Sequence, residues 1–349
     1  MKKISCIIPV YNVENYIEKC ISSIEKQYTD EIEIIVVNDG TKDQSIEKIK
    51  EYKNIQIINK ENGGLSSARN VGMKQATGEY IWFIDGDDYI ENNAIKILLN
   101  KIKLESDIIS FNYYKENNSK KVKIIEDINN YQKERKLFIN TSACTKIFKK
   151  SFLESNNIYF HEGIIYEDLA LIPYLMLLTN KIEYLDDCLY TYVSRNNSIM
   201  KTKEFNEKKD DKLIALNDLK EQLIRANLYN VNKEQYIYVT IRHLLIVYST
   251  EIIEFGRKIY KDRFDKVNNI LNELDKEWTS NKYLKEQSIL KKIFIYLFKN
   301  KMYFLCKIII LVMKESGKIW YQKEYITVGL EKKHYQNKQK NASIAGKKI

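Results

Sequence analysis

The chain has 349 residues, room for one large domain with an appendage or for two domains, and its 44% hydrophobic content supports a sizeable core. Only 11 Gly and 2 Pro exclude collagen-like and low-complexity disordered classes. The net charge of +10 divides unevenly: from residue 282 onward 16 Lys face 4 acidic residues (+12), while the remainder carries 41 basic and 43 acidic groups (−2), which disfavours a nucleic-acid binder.

The first half alternates strand and helix patterns. Ile4–Val10 is a short apolar run rich in β-branched residues and predicts a buried strand. Tyr16, Ile17, Cys20, Ile21 and Ile24 recur at helical spacing. Residues 32–37 predict a second strand ending at Asn38-Asp39-Gly40, 46–52 a helix, and 55–58 a third strand. After the loop Glu61-Asn62-Gly63-Gly64, a helix is expected over 66–76, a fourth strand over 80–84, a helix over 93–102 and a fifth strand over 107–111. Residues 112–130 read as a loop or β-excursion, 169–178 as a helix, and 182–193 as a hairpin-like pair of strands. From about residue 204 the pattern is helical, and 336–349 has the composition of a disordered tail.

This order predicts an α/β fold with a mostly parallel sheet and helices on both faces. Ligands of such sheets bind beyond the carboxyl ends of the strands. Tyr11-Asn12, Asn38-Asp39 and the acidic turn Asp85-Gly86-Asp87-Asp88 all lie at such ends and are expected to meet in one crevice. The expected division is 1–203, 204–335 and the tail 336–349.

Three carboxylates within four residues repel one another in a partly desolvated cleft, and a divalent cation would relieve that cost. Oxygen ligands suit Mg²⁺ or Mn²⁺. The plainer alternative is a solvated turn capping the next helix, a task that suits Asp88. Asp39 can accept hydrogen bonds from a base or ribose, or serve as an ordinary turn residue. Tyr11 can offer an aromatic face or simply line the rim. Gly63 and Gly64 precede a helix start that suits close approach to an anion or ribose. Arg69, one of 7 Arg beside 50 Lys, hints that a planar fork is wanted. Asp168, with Glu167 before it, opens a predicted helix and reads either as a cap or as a general base. Arg195 follows a strand and can stabilise a leaving diphosphate or sit in a surface loop.

In this order, Ile7-Ile8-Pro9-Val10-Tyr11-Asn12, Val37-Asn38-Asp39-Gly40, Asn62-Gly63-Gly64 with Ala68-Arg69-Asn70, Phe83 through Asp88, and Glu167-Asp168 resemble the motifs of family 2 glycosyltransferases of the bacterial surface-polysaccharide type. The resemblance covers about residues 1–197 and implies a GT-A fold. It implies that Tyr11 and Asp39 hold the nucleotide base, usually uracil, with Glu14 and Arg69 near, and that Pro9 and Gly64 belong to the same nucleotide-sugar site. By the same likeness Asp85 and Asp87 form the Asp-x-Asp motif, Asp87 as the Mn²⁺ or Mg²⁺ ligand and Asp85 toward the ribose. Asp168 is implied as the catalytic base with Glu167 in support, and Arg195 and Ser198 as a diphosphate-side loop. His161-Glu162-Gly163 departs from the Pro-Glu-Gly of many relatives, which leaves His161 without an implied role. The implied reaction is inverting transfer from a nucleotide-sugar donor to a glycan or lipid-linked acceptor.

Five scattered cysteines without a Cys-x-x-Cys pair read as reduced core thiols of a cytoplasmic protein. No leader and no transmembrane run is expected. Between residues 290 and 313, apolar bulk alternates with Lys, which fits helices lying on an anionic membrane or, equally, core or dimer-interface helices. A non-catalytic nucleotide- or carbohydrate-binding protein on the same fold is the competing reading, and a nucleotidyltransferase is disfavoured because no early Gly-rich loop followed by Arg is present.

Overall fold

Strand β1 (Ile4–Val10) is buried at every position. A central parallel strand covered on both faces requires such an uninterrupted apolar run. It pairs in parallel with β2 (Ile32–Asn38) on one side and β4 (Tyr80–Phe83) on the other, and β2 pairs in parallel with β3 (Ile55–Asn59). Between them run α1 (Ile17–Glu25) and α2 (Leu65–Gln75). In α1 the buried residues Ile17, Cys20, Ile21 and Ile24 form one stripe, the face that a 3.6-residue period turns toward the sheet. The computed structural model describes residues 1–126, 133–194, 206–253 and 255–315.

The short β5 (Tyr89–Ile90) precedes α3 (Ala94–Lys101). Then follow β6 (Ile108–Asn117), β7 (Lys120–Ile124), β8 (Lys146–Lys149), α4 (Lys150–Ser155), α5 (Glu167–Leu178) and β9 (Ile182–Val193). The nine-stranded sheet has the order β3-β2-β1-β4-β8-β6-β9-β5, with β7 beside β6 off that path. β8 pairs antiparallel with both β4 and β6, and β9 runs parallel to β6.

Two sequence expectations are corrected, and one strand is new. Residues 46–52 form successive turns rather than a helix, because their amides mix four-residue bonds (Lys48 N–H to Gln44 O) with three-residue ones (Ile49 N–H to Ile46 O, Tyr52 N–H to Ile49 O). Residues 182–193 form one strand rather than a pair: Asp186 and Asp187 lie in a bulge where the register moves from Phe111↔Leu185 to Asn112↔Cys188. The Asn112 amide holds the bulge through Asp186 O and Oδ1. Strand β8, four residues flanked by Lys, was not expected, and it stands between β4 and β6. The stretch after residue 111 is the extended end of β6 and β7, a β-excursion.

The chain divides into two compact units, 1–123 with 132–231 and 124–131 with 232–349. The first takes in α6 (Asp211–Arg225), beyond residue 203. The described residues of the second from 232 onward are mainly helical: most of α7 (Tyr229–Thr240), a π-helical stretch Ile241–Tyr248, α8 (Ser249–Ile252), α9 (Arg257–Leu274), α10 (Ile289–Lys299) and α11 (Tyr303–Glu315). Its core includes Phe264, whose ring lies 5.1 Å from Phe298 and 5.3 Å from Tyr303. Among the described residues no helix is long and apolar enough to cross a membrane. All five cysteines are free thiols. The expected tail 336–349 lies outside the described residues.

Candidate active site

The strand register brings the three predicted loops together. Val10 pairs with Asn38 and Ile7 with Phe83, so Tyr11, Asp39 and Asp85 each follow the carboxyl end of adjacent strands. The Asp39 amide donates to Val10 O, and Ile84 N–H to Ile7 O. Tyr11 stands 47% exposed at the rim, while Pro9 is buried inside β1. Gly86 crosses so close to Pro9 that a Cβ there would sit 3.0 Å from its carbonyl oxygen.

Asp39 is enclosed. Its Oδ1 accepts from Lys60 Nζ at 2.6 Å and Gly63 N–H at 2.9 Å, and its Oδ2 from Gly64 N–H at 2.8 Å. The carboxylate therefore fastens the loop before α2 to the end of β2. Gly64, with φ +87°, takes a left-handed turn that a side chain would strain. Glu14 is fixed to the 41–48 segment: its carboxylate accepts from Gln44 N–H, and its own amide donates to Asp43.

The centre is Arg69, 1% exposed on the buried face of α2. Its Nη2 donates to Asp85 Oδ1 at 2.9 Å, and its Nη1 to Glu167 Oε1 at 2.8 Å and Asp168 Oδ1 at 2.9 Å. Phe160 and Phe83 lie beside the guanidinium, with ring centroids 5.1 and 5.8 Å from Cζ. One fork thus gathers the acidic turn and the start of α5, 98 and 99 residues further along the chain from Arg69. Burial opposes the Arg69 charge, but Asp168, Asp85 and Glu167 outweigh it and hold its pKa well above the ordinary value. Burial and the neighbouring Asp168 push the Glu167 carboxyl up to about 7 against the pull of Arg69. Burial also raises Asp168, opposed by Arg69 and by the Ala143 N–H that donates to its Oδ2 at 2.9 Å. Tyr166, just before α5, has φ +73°, a left-handed conformation uncommon for a bulky residue, and it turns the chain into the cluster.

The parts of the acidic turn differ. Asp88 is buried and accepts from Tyr190 O–H at 2.6 Å and Val193 N–H at 2.8 Å. It ties β9 to the turn and does not cap α3, whose start has no side-chain cap. Burial, with Asp87 and Asp85 adding to it, pushes its carboxyl well above the ordinary range. Asp85 and Asp87 are half-buried. Among the described residues no three His, Cys, Asp or Glu form a cage for a metal ion. Mg²⁺-type sites need only one or two carboxylates, with phosphate oxygens and water completing the shell. Asp87 and the second oxygen of Asp85 fit that donor set; Asp88 does not.

Asn70 and His161 stand in the sequence motifs without an assigned role, and Lys146 was not singled out at all. Asn70 clasps Phe160 through both its amide and its carbonyl, and also donates to Glu162 Oε1. Lys146, fully buried, donates to Asn140 O at 2.7 Å and to Ser142 O and Thr145 Oγ1 at 3.2 Å, shaping the loop whose Ala143 N–H holds Asp168. A Lys inside the apolar run before Phe148 was the only signal. Exposed His161 pairs with Asp218 of α6. Arg195 and Ser198 lie outside the described residues.

The sheet, its helices and the crevice at the strand ends are those of the GT-A class. The sequence model described as glycosyl transferase family 2 matches residues 5–157. The glycosyltransferase GlyG of Streptococcus pneumoniae is 32% identical over 57% of this chain and 73% of its own length. The glycosyltransferase GlyA of the same organism is 33% identical over 80% of this chain but only 43% of its own length. The chain thus spans less than half of GlyA, and it spans 62% of the Bacillus subtilis glycosyltransferase EpsJ. The crystal structure of Staphylococcus aureus TarS residues 1–349 in complex with UDP-GlcNAc superposes with a TM-score of 0.69 at 22% identity, covering 90% of this chain and 92% of that one. The chain belongs to glycosyl transferase family 2.

Proposed function

We propose that the protein is an inverting glycosyltransferase that moves a sugar from a UDP-sugar to a hydroxyl of a glycan or lipid-linked acceptor in surface-polysaccharide synthesis. The carrying observation is the Arg69 fork, which sets Asp168 against the acidic turn at the carboxyl ends of the parallel strands. Glycosyltransferase relatives that include TarS, a poly(ribitol-phosphate) β-N-acetylglucosaminyltransferase, support the surface-polymer setting, and the UDP-GlcNAc complex of TarS makes that donor the first to test.

Asp168 takes the proton as the acceptor O–H bond breaks, and the oxygen attacks the anomeric carbon. The bond from that carbon to the diphosphate breaks on the opposite face, so the configuration inverts and UDP leaves with the bonding pair. Arg69 and the Ala143 N–H orient the Asp168 carboxylate for this task. Glu167, raised toward neutrality, keeps the cluster from carrying its full negative charge. Tyr11 lines the base, and Asp39, by closing the Gly63-Gly64 loop, forms the wall beside it. Asp87, with Asp85 beside it, would hold Mn²⁺ or Mg²⁺, whose charge offsets that on the departing diphosphate. The resemblance assigns Arg195 and Ser198 to the same diphosphate. A lipid-linked acceptor would place the enzyme on the cytoplasmic face of the membrane.

A thermal-shift panel of nucleotide sugars with Mn²⁺ tests donor class. At a hundredfold excess over Kd a bound donor adds about 2.7 kcal/mol of stability. UDP-sugars are expected to raise Tm and their GDP and CMP counterparts to leave it in place. A chain that responds to no nucleotide sugar would refute the proposal.

A further inference from the structure

The exposed face of the second unit carries a pattern that sugar transfer does not use. On α10, Ile289, Ile293 and Tyr296 recur at helical spacing and are 76, 44 and 66% exposed, while Phe294 and Phe298 on the other side are buried. On α11, Phe304, Ile308, Leu311 and Val312 are exposed in the same way, with Cys306 and Ile310 turned inward. Each helix thus has two apolar faces, one in the core and one in solvent. A monomer in water does not ordinarily expose so many large apolar side chains in register. Lys292, Lys299 and Lys301 are exposed among them.

Where α9 begins, opposite the turn between α10 and α11, lies a cavity of about 320 Å³. Arg257, Lys261 and Lys301 line it with Tyr260, Tyr303 and Phe304, and none of the residues lining it is acidic. Nearby Asp265 accepts from Tyr303 O–H at 2.8 Å and lies 3.7 Å from Lys301 Nζ, so it offsets part of one cation of the three. Phe304 belongs both to the cavity wall and to the exposed apolar stripe. A cationic recess that opens on an apolar face has the chemistry of a site for an acyl-linked phosphate: aliphatic chains against the stripe, headgroup in the recess.

We propose that α10 and α11 dock flat on an anionic lipid bilayer and that the Arg257-Lys261-Lys301 cavity receives a lipid phosphate headgroup. The surface lies within the second unit and stands independently of the transfer chemistry. Among the described residues neither helix is long and apolar enough to cross a bilayer, and the proposed contact is interfacial. Charge complementarity selects a bilayer rather than a second copy of this chain, which would set like charges against one another.

Flotation of the full chain with vesicles tests the proposal. The protein is expected to float with phosphatidylglycerol-containing vesicles at low salt and to stay behind with pure phosphatidylcholine. Arg257→Glu with Lys261→Glu should weaken partition about tenfold or more, each basic residue near the surface being worth roughly a few-fold. Phe304→Glu with Ile308→Glu should abolish flotation without changing the melting temperature, since both side chains are exposed. Failure to float on phosphatidylglycerol, or undiminished flotation of both double variants, would overturn the proposal. So would a dimer in sedimentation that Phe304→Glu with Ile308→Glu converts to monomer while vesicles are ignored. The thermal shift with UDP-GlcNAc separates the two claims: a chain that floats but ignores UDP-GlcNAc supports the docking surface and counts against the reading of the crevice.

Discussion

Arg69 holds three carboxylates from two distant segments, and it does so from a position closed to water. Removing one partner of a buried ionic cluster strands the others, at a cost of about 3–5 kcal/mol. Arg69→Ala is therefore expected to lower stability by that amount in urea melts. Arg69→Lys should recover only part of it, because an ammonium cannot reproduce the two-nitrogen fork. Glu167 supplies a prediction in pH. Its folded pKa of about 7 lies above its ordinary 4.5, so between those values the native state binds more protons than the unfolded chain. Its contribution to stability accordingly falls as pH rises through that window and is level above it. Urea melts at pH 5 and 7.5 should show wild type losing more stability over this range than Glu167→Gln; equal losses would contradict the raised pKa. At this scale the sequence was legible where a residue type stood out. Arg69 was visible as a rare Arg in a Lys-rich chain, and Asp85 to Asp88 as a dense run of acid. Lys146 was hidden as one of 50 Lys, and no local pattern joins Arg69 to Glu167.

Helix α2 lies tightly on β1, and Gly72 is the point of closest approach: a Cβ there would fall 2.3 Å from Ile7 Cγ2. Gly72→Ala should push α2, and Arg69 with it, off the sheet. The expected cost is about 1–3 kcal/mol, the usual range for overpacking, and a double variant with Ile7→Ala should recover part of it. Additive losses in that cycle would show that the contact is not the cause. On the other side of the cluster, Lys146→Met removes the amine that shapes the loop bearing Ala143. Its effect should appear as a fall in kcat with KM for the donor nearly unchanged, since the Ala143 N–H of that loop holds Asp168. The parallel strands were readable because burial on both faces writes itself as an unbroken apolar run. The β9 bulge was not, because Asp186 and Asp187 carry the chemistry of a turn while Asn112 of β6 binds Asp186 and holds the strand straight through. The 46–52 segment has helical spacing, but its hydrogen bonds never settle into one period.

Over the whole chain, the crevice is a product of topology. β1, β2 and β4 are adjacent and run the same way, so the loops after their carboxyl ends must meet, and this could be foreseen from strand order alone. The insertion of β8 and the pairing of β9 with β6 could not, because both depend on contacts between remote segments. Yet it is this half of the sheet that delivers Tyr190 and Val193 to Asp88 and fixes the acidic turn. The proposed transfer therefore depends on Asp168 acting chemically, with the donor held by other groups of the crevice. The most direct measurement is UDP release from UDP-GlcNAc with Mn²⁺ in wild type and Asp168→Asn, with UDP binding followed in parallel by calorimetry. The prediction is a fall in turnover of at least about a hundredfold, the lower end for losing a general base, with UDP affinity changed only a few-fold. Full turnover in Asp168→Asn would contradict it.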